Sequence, residues 1–497
     1  MSVYQIMNNY LAAALAMASG ILFALALPPF DVEWLGWVAL APLLAAISVP
    51  KRRTLHAIGF GLLAGIAAGI FQIGYTPGAK NLSFAYLPFI WIGLVFGLVS
   101  ALVAGVRQRW PDAHPLAQVL FIACAGVTVE WLTTLSPLPV GIALCQWRNT
   151  PLIQIASFTG IWGVSFLLWL GNAALADMIL RRKPVTLSAA VAGLLILLTY
   201  GYGAFTLFEA RDYGYQSRAQ ARVAAVQDYN GIDGENPNGT RDGGGDLPDI
   251  ETLMRQATDR GAELVVGSEE AFGSGFVPNE PGDSIALLAR EKKAHLVVGY
   301  QERGEGDKDF NCAALVAPTG KALGIHRKVH LFLGEKNAIQ AGDRATVVDS
   351  GDSRLGKVGM LICFDTCWTS LVRASVADGA QIIAVPNYDP PTHHAVLHHL
   401  HAALMPFRAA ENGVALVRAD PNGLSMIVDP WGRIVASAPM YKAEVVVAGT
   451  YLGDGKGTFF TRWGDWLACA SAGVVAVTIL AGIGFTLAAK RRLLPSE

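Results

Sequence analysis

Three side chains suited to acyl-transfer chemistry stand at the ends of predicted strands in the second half of the chain. Glu269 ends the stretch ELVVGSE, Lys328 lies in GIHRKVHLF, and Cys363 ends the stretch VGMLIC. A thiolate nucleophile needs a nearby base to remove its proton and a cation to stabilise the oxyanion that its attack creates. A glutamate, a lysine and a cysteine supply these three roles, so the set predicts covalent catalysis.

Each of the three residues also has a structural explanation. Glu269 could cap a helix, Lys328 could be a solvated charge, and Cys363 could be a core side chain, since free cysteine is among the most buried residue types. Their shared position at strand ends, where a rigid sheet positions exposed loops, favours the catalytic interpretation. Glu270 directly follows Glu269, so the sequence leaves open which of the two is the base.

The stretch that carries these residues, 210–465, has short apolar runs that are typical of strands. Runs such as AELVVG, AHLVVGY and AQIIAVP have the length and composition of strands buried on both faces of a sheet. Helical stretches, such as 247–261 and 393–413, separate several of the runs. The alternation predicts an α/β layered domain, and the Gly- and Asp-rich segment 230–246 predicts a flexible loop.

The remainder of the chain predicts a membrane domain. Of the 497 residues 53% are hydrophobic and 15% charged, with a net charge of -1, a balance that favours a membrane protein and gives no support for nucleic-acid binding. Spanning a bilayer takes about 20 apolar residues. We predict eight spans, at 9–27, 34–49, 56–75, 86–106, 116–135, 152–180, 185–208 and 466–489. The expected domains are 1–209 with seven spans, 210–465, and 466–497 with the eighth span and a basic tail.

Basic clusters determine the expected orientation. If all eight spans cross, every cluster falls on the same side of the membrane, and seven spans would break this agreement. The clusters are Lys51-Arg52-Arg53, Arg107 with Arg109, Arg181-Arg182-Lys183 and Lys490-Arg491-Arg492. Because cytoplasmic loops carry an excess of Lys and Arg, we expect cytoplasmic termini and a 210–465 domain on the opposite face.

The motifs resemble those of two related protein families. HRKVHLF (326–332), GMLICFDTCWTSLVR (359–373) and FRAAENGVALVRADPNGLSMIVDPWGRIVA (407–436) resemble signatures of the nitrilase, or carbon–nitrogen hydrolase, superfamily. ALALPPFDVEWLGWVALAPLLAAI (24–47), NTPLIQIASFTGIWGVSFLLWLGNAALA (149–176) and TRWGDWL (461–467) resemble the apolipoprotein N-acyltransferase family. That family carries a periplasmic nitrilase-like domain between its seventh and eighth helices, so the resemblance covers essentially the whole chain.

The resemblance implies a fold and a set of residue roles. It implies an αββα sandwich in which Glu269 is the general base, Lys328 the oxyanion stabiliser and Cys363 the nucleophile. Glu335 stands where the superfamily places a supporting glutamate, and Asp365 where the acyltransferases often carry a glutamate. It further implies a monomeric enzyme of the bacterial inner membrane that uses neither a cofactor nor a metal.

The implied reaction takes an acyl chain from a phospholipid donor, forms a thioester on Cys363, and passes the chain to the N-terminal amine of a diacylglyceryl-modified lipoprotein. Two alternatives remain: an amidase that passes its thioester to water, and a catalytically silent binding protein. Residues 387–395, NYDPPTHHA, replace the loop of the acyltransferases that resembles Asn-Asp-Ala-Trp-Phe-Gly. Gly267-Ser268 stand where the family usually has Trp-Pro before the triad glutamate. The altered loop leaves lipid or acceptor preference open, and the second departure leaves open whether Glu269 or Glu270 is the base.

Two residues of the membrane domain are candidate lipid contacts. Glu130 is a carboxylate inside the fifth predicted span, and ionisable groups in a span are usually functional. Arg148, at the outer membrane face, is a candidate partner for a lipid phosphate. Helix pairing for Glu130 and loop anchoring for Arg148 are equally compatible with the sequence.

The histidine-rich segment 392–404 and the second cysteine of the nucleophile motif have simpler explanations. His394 and His398 share a helix face, but no third ligand accompanies them, so we predict a helix that covers the site entrance rather than a metal site. Cys367 is expected in the core, or in a disulfide with Cys312 if the domain lies in an oxidising compartment.

Overall fold

The computed structural model consists of a bundle of apolar helices joined to an α/β domain. The structure describes residues 8–49, 53–76, 87–135, 140–211, 218–229, 249–280, 282–304, 306–390 and 394–492, so the predicted loop 230–246 lies outside it. The bundle contains helices α1 Asn9–Ala26, α2 Ala41–Ile47, α3 Thr54–Tyr75, α4 Leu87–Arg109, α5 Pro115–Thr133, α6 Thr150–Ile153, α7 Ala156–Thr159, α8 Ile161–Arg181 and α9 Leu187–Glu209. The remaining helices are α10 Ile250–Asp259, α11 Ser284–Lys292, α12 Thr369–Ala377, α13 Ala395–Ala402, α14 Leu404–Asn412, α15 Phe459–Trp463 and α16 Trp466–Arg492.

Among the described residues, seven helices are long and apolar enough to cross a membrane, namely α1, α3, α4, α5, α8, α9 and α16. The second predicted span is shorter than expected. A 3-10 turn at Glu33–Trp37 precedes α2, which has 7 residues. The side-chain oxygen of Asn172 in α8 accepts hydrogen bonds from the backbone N–H groups of Leu40 and Ala41 at 2.8 and 3.0 Å, and its amide donates to the Gly36 carbonyl at 2.8 Å. The side chain thus satisfies backbone groups that a broken helix leaves unpaired inside the bundle.

The chain nevertheless crosses the bundle between α1 and α3, because these two helices run parallel. Near one end of the pair the Gln72 side chain donates to the Ala24 carbonyl at 2.7 Å. Earlier in both helices, Gly20 lies against the backbone of Ala64. The described residues 27–49 therefore return from the end of α1 along the bundle toward the start of α3, and the eighth membrane crossing stays a prediction.

Arg107, Arg109 and Arg181, which belong to the basic clusters of the sequence, lie at the end of the bundle opposite the α/β domain. Arg107 donates to the Ser48 carbonyl at 3.0 Å, just after α2, and Gln108 donates to the Thr54 hydroxyl at 3.2 Å, so α4 ends near the start of α3. Arg109 lies beside Gly482 in the second half of α16, and α8 ends on the basic side at Arg181. Helix α9 starts at that end and leads into the α/β domain, and α16 returns from it.

The α/β domain is a sandwich of two mixed six-stranded sheets. Their strand orders are β12-β1-β2-β3-β4-β5 and β11-β10-β9-β8-β7-β6. The strands are β1 Gln220–Gln227, β2 Leu264–Val266, β3 His295–Arg303, β4 Asp309–Val316, β5 Ala322–Arg327, β6 Thr346–Asp349, β7 Lys357–Met360, β8 Ile382–Pro386, β9 Ala415–Ala419, β10 Met426–Val428, β11 Ile434–Ser437 and β12 Glu444–Tyr451.

The order of layers confirms the predicted αββα sandwich. Strands β1 to β3 are parallel, as are β7 to β9, and these strands occupy inner positions in their sheets. The two sheets pack face to face, helices α10 and α11 cover the first, and α12 and α14 cover the second. Burial on both faces explains why the strands read as continuous runs of Val, Ile and Leu.

Buried polar contacts fasten the α/β domain to the bundle. The Glu411 carboxylate in α14 accepts from the backbone N–H of Ile161 at 2.8 Å and from Arg408 at 2.5 Å. The indole N–H of Trp162 donates to Asp465 at 2.8 Å. Since Glu411 and Arg408 are buried, these contacts hold α14 against the first residues of α8. Helix α14 also packs against the turn Cys363–Cys367.

We expect Asn172→Ala to lower the thermal midpoint of the purified protein in detergent micelles, followed by tryptophan fluorescence. The substitution leaves two backbone N–H groups and one carbonyl of the second crossing without their partner, and each unsatisfied buried group costs about 1–3 kcal/mol. Thr478→Ala is the matched control, because its hydroxyl bonds only within its own helix at an exposed position. Equal midpoints for the two variants would show that Asn172 does not hold the crossing.

Candidate active site

The three predicted catalytic residues converge because each follows the end of a strand. Glu269 comes three residues after β2, Lys328 directly follows β5, and Cys363 comes three residues after β7. Strands β2 and β7 belong to the two facing sheets. The sandwich therefore brings residues that lie far apart in the chain into one cavity, as the sequence predicted.

Lys328 is the centre of the site. Its ammonium nitrogen lies 2.7 Å from Glu269 Oε1 and 2.6 Å from Glu335 Oε1, and its side chain is 1% exposed. The Asn311 amide donates a second hydrogen bond to Glu269 Oε1 at 2.7 Å. The other oxygen of Glu335 accepts from the backbone N–H of Phe332 at 2.6 Å. A buried cation shared by two carboxylates is thus fixed in position and orientation.

The electrostatics of the site suit a general base beside a protonated thiol. Burial raises the pKa of Glu269 to about 7, and Lys328 only partly opposes that rise. Burial also disfavours the charged lysine, but the negative charges of Glu269 and Glu335, and of the Cys363 thiolate when it forms, raise the pKa of Lys328 well above its usual value. Burial, followed by the charge of Glu269, raises the pKa of the Cys363 thiol well above its usual value. Near pH 7 the thiol therefore keeps its proton until a base removes it.

Cys363 occupies a strained turn. Its φ of 47° lies in the left-handed region, which costs a residue other than glycine about 1–2 kcal/mol. The Thr366 hydroxyl donates to the Cys363 carbonyl at 2.8 Å, and the thiol points to the Tyr388 carbonyl at 3.8 Å. Such strain is typical of functional sites, where the surrounding structure holds a residue in place.

Asp365 ties the lysine loop to the cysteine turn. One carboxylate oxygen accepts from the backbone N–H groups of Val329 and His330 at 3.1 and 2.7 Å. The other oxygen bonds Ile362 N–H at 3.1 Å and His326 Nε2 at 3.0 Å. Asp365, which the sequence analysis named as a supporting residue, therefore links the backbone that follows Lys328 to the turn that carries Cys363, and its supporting role stays a prediction.

A second charged network on the far side of the nucleophile was missed by the sequence analysis. His401 Nδ1 pairs with Asp389 Oδ1 at 2.9 Å, and Arg418 donates to Asp389 Oδ2 at 2.5 Å. His401 Nε2 lies 3.2 Å from the Thr366 hydroxyl. Although burial opposes protonation, the charge of Asp389 raises the pKa of His401 to about 10. The network braces the cysteine turn through Thr366.

The helix predicted to cover the site entrance is present as α13, but the histidines that drew attention to it face elsewhere. His394 caps the helix by accepting from Val396 N–H at 3.3 Å, and His398 Nε2 lies 3.1 Å from the Pro390 carbonyl. His401, one turn later, lines the cavity instead. The pairing of residues 389 and 401 across a loop and a helix leaves no periodic signal in the sequence.

Cys363, Asp389 and His401 bring potential metal-ligand atoms within 4.8 Å of one another. Both Asp389 oxygens already bond cations, one to His401 and one to Arg418. Ion pairing around the nucleophile accounts for this cluster.

The cavity that contains the triad has a volume of about 280 Å³. Its apolar wall includes Phe332, Leu333, Phe364 and Leu397, and Tyr388 lies on its rim. A larger polar hollow of about 660 Å³ beside Arg344 contains no nucleophile. The smaller cavity, with a charged floor and an apolar wall, suits the carbonyl end of an acyl chain.

The two candidate lipid contacts lie in different environments. Glu130 is 3% exposed, and its carboxylate accepts from Ser165 at 2.6 Å, Trp169 at 2.8 Å and Ile142 N–H at 3.2 Å. The bonds to Ser165 and Trp169 join α5 to α8. They agree with the helix-pairing role that the sequence left open as an alternative. Arg148 is 54% exposed and 3.6 Å from Asp31, so its role as a phosphate contact stays a prediction.

The disulfide considered for Cys367 is absent. Cys312 and Cys367 are both free thiols, and the Cys312 sulfur lies 3.6 Å from a Glu302 carboxylate oxygen. Burial raises the pKa of Cys312 to about 12, which leaves this thiol protonated and unreactive.

The two halves of the chain match two family descriptions. Residues 222–455 match the carbon-nitrogen hydrolase family, and residues 19–174 match the apolipoprotein N-acyltransferase N-terminal domain. An apolipoprotein N-acyltransferase of Geobacter metallireducens is 30% identical over 511 residues, which cover 94% of this chain and 95% of that protein. An apolipoprotein N-acyltransferase of Gloeobacter violaceus is 26% identical, and the matched region covers 94% of this chain and 93% of that protein.

A nitrilase of Pyrococcus abyssi is 32% identical over 225 residues, which cover 40% of this chain and 80% of that protein. The acyltransferases thus match both the bundle and the α/β domain, whereas the nitrilase matches a length close to that of the α/β domain alone.

We expect the rate at which iodoacetamide alkylates Cys363 to rise as pH increases through about 7, because Glu269 accepts the thiol proton only after it has lost its own. Glu269→Gln should remove this inflection and lower the rate at pH 8 by about 10²-fold or more, the usual contribution of a general base. Mass spectrometry of the peptide that contains Cys363 separates its reaction from that of the other cysteines. Glu280→Gln, at an exposed position, is the control. An inflection near pH 7 that survives in Glu269→Gln would assign the proton transfer to another group.

Proposed function

The chain belongs to the apolipoprotein N-acyltransferase family, and from this premise we propose that it moves an acyl chain from a phospholipid to the N-terminal amine of diacylglyceryl-modified lipoproteins. The observation that carries the proposal is the arrangement of Cys363 with Lys328 and Glu269 in one cavity. The family match over both parts of the chain supports lipid and lipoprotein substrates, because a soluble amidase has no need for a helical bundle.

In the first half-reaction Glu269 takes the thiol proton of Cys363, and the thiolate attacks an ester carbonyl of the phospholipid. The Lys328 ammonium stabilises the oxyanion of the tetrahedral intermediate, and donors of this kind are typically worth about 10²–10³ in rate. Collapse of the intermediate breaks the ester C–O bond. Glu269 returns the proton to the departing lysophospholipid oxygen, which leaves a thioester on Cys363.

In the second half-reaction the acceptor amine attacks the thioester carbonyl. A terminal amine has a pKa of about 7.7–8.0, and burial raises the pKa of Glu269 to about 7, so proton transfer between them is nearly balanced. Glu269 takes one proton from the ammonium form, the neutral amine attacks, and the C–S bond breaks. The second amine proton passes to the Cys363 thiolate, which restores the thiol. Glu269 then releases the proton of the former ammonium group to solvent, which restores its carboxylate for the next cycle.

The same premise supports a location at the inner membrane. We place both termini in the cytoplasm and the α/β domain on the periplasmic side, because Arg107 and Arg181 mark the opposite end of the bundle. Phe459 and Trp463 are exposed where the α/β domain meets α16, as expected of aromatic residues at a bilayer surface. The cavity would then open near the headgroups of the outer leaflet.

Intact-protein mass spectrometry tests the proposal after incubation with phosphatidylethanolamine. We expect a gain of one acyl mass that hydroxylamine removes. Cys363→Ala should abolish the gain, whereas Cys367→Ala, at a buried cysteine four residues away, should retain it. Lys328→Met should slow the appearance of the adduct by about 10²–10³-fold, because the oxyanion loses its cation.

The alternative outcomes separate the remaining functions. Hydrolysis of an amide substrate with no transfer to an added amine would identify an amidase, the activity suggested by the match to the carbon-nitrogen hydrolase family alone. Neither an adduct nor hydrolysis would identify a silent binding protein.

A further inference from the structure

Four carboxylates line the catalytic cavity, and three of them have cationic partners within the protein. Glu269 and Glu335 share the ammonium group of Lys328. Asp389 is held by a histidine and an arginine. The Glu270 carboxylate has no hydrogen-bonding or ion-pairing partner among the residues that the structure describes.

Backbone contacts fix the conformation of the chain at Glu270. Its φ of 55° is left-handed, a conformation that a glutamate rarely adopts without support from its surroundings. The Glu270 carbonyl accepts from Gly273 N–H at 2.9 Å. Gly299 of β3 packs so closely that a Cβ there would lie 2.8 Å from the Glu270 nitrogen. The turn thus directs Glu269 to Lys328 and leaves the neighbouring carboxylate on the cavity wall.

We propose that Glu270 is the binding site for a primary ammonium group of a substrate, an inference that rests on the proposed function. The cationic side chains of the cavity, Lys328 and His401, already pair with other carboxylates. A cation that pairs with Glu270 must therefore come from a ligand. Two substrates of the proposed reaction carry a primary ammonium: the N-terminus of the lipoprotein acceptor and the ethanolamine headgroup of a donor phospholipid. Both use the same chemistry, and the half-reactions separate them.

The position beside Glu269 gives the ammonium site a role in choosing the acceptor. Glu270 would hold the protonated amine next to the group that takes its proton, so the neutral amine forms within reach of the thioester. Water carries no charge and gains nothing from Glu270. The carboxylate would thus favour transfer to an amine over hydrolysis.

The test compares wild-type protein with Glu270→Gln in each half-reaction, with Glu280→Gln as the exposed control. The thioester is formed from phosphatidylglycerol, whose headgroup has no amine, and then treated with a diacylglyceryl-cysteine peptide or with hydroxylamine, which is uncharged near pH 7. We expect unchanged thioester formation and an unchanged rate with hydroxylamine. The KM for the peptide should rise about 10- to 100-fold, as expected for a lost hydrogen bond between charged groups.

The donor arm repeats thioester formation with phosphatidylethanolamine. A fall for this lipid alone in Glu270→Gln, with peptide transfer unchanged, would assign the site to the donor headgroup. Unchanged kinetics in both arms would overturn the inference while leaving the proposed function intact. Absence of any thioester in the wild type would instead count against the proposed function.

Equilibrium binding gives an answer that does not depend on turnover. Cys363→Ala should bind the free-amine peptide more tightly than its N-acetylated form, and adding Glu270→Gln should remove the preference. A preference that survives the second substitution would exclude the acceptor ammonium as the ligand of Glu270, and together with an unchanged donor arm it would overturn the inference.

Discussion

A cation in the protein interior needs anionic partners. The buried ammonium group of Lys328 has two such partners, and they come from different loops of the α/β domain. The Lys328 side chain is 1% exposed, and its ammonium nitrogen lies within hydrogen-bonding distance of both the Glu269 and the Glu335 carboxylate. Breaking such a pair by removing one partner typically costs about 3–5 kcal/mol. The loop that carries Glu335 and the turn that carries Glu269 are therefore both constrained by the same nitrogen.

The conformation of the turn Cys363–Cys367 depends on this arrangement and on a second set of buried charges. Asp365 joins the turn to the backbone that follows Lys328, while His401 and Asp389 brace it from the opposite side. The left-handed conformation of Cys363 is held between these two networks. Hydrogen bonds and ion pairs among neighbouring side chains thus determine where the sulfur lies, which is why the residues that support such a site tolerate little change.

The helical bundle must also provide partners for buried polar groups, and there the surrounding medium is lipid rather than water. A broken helix leaves backbone groups unpaired where lipid offers no hydrogen bonds, and Asn172 supplies the missing partners at the second crossing. Glu411 makes a comparable bond across the junction, to the first residue of α8. The position of the α/β domain on the bundle is thus set by directional polar contacts as well as by apolar packing.

The sequence by itself determined the elements and the residue types of the site. Apolar runs predicted the spans and the buried strands, and strand ends identified Glu269, Lys328 and Cys363, because burial on two faces and exposure at a strand end both leave local patterns. Tertiary structure alone decided which of two adjacent glutamates meets Lys328: Glu269 pairs with it, whereas Glu270, at a left-handed φ, lies elsewhere on the wall of the same cavity. It also decided the pairing of Asp389 with His401 and the role of Asn172 at the second crossing, which is shorter than predicted. Contacts between residues distant in the chain depend on how layers pack, and no local periodicity records them.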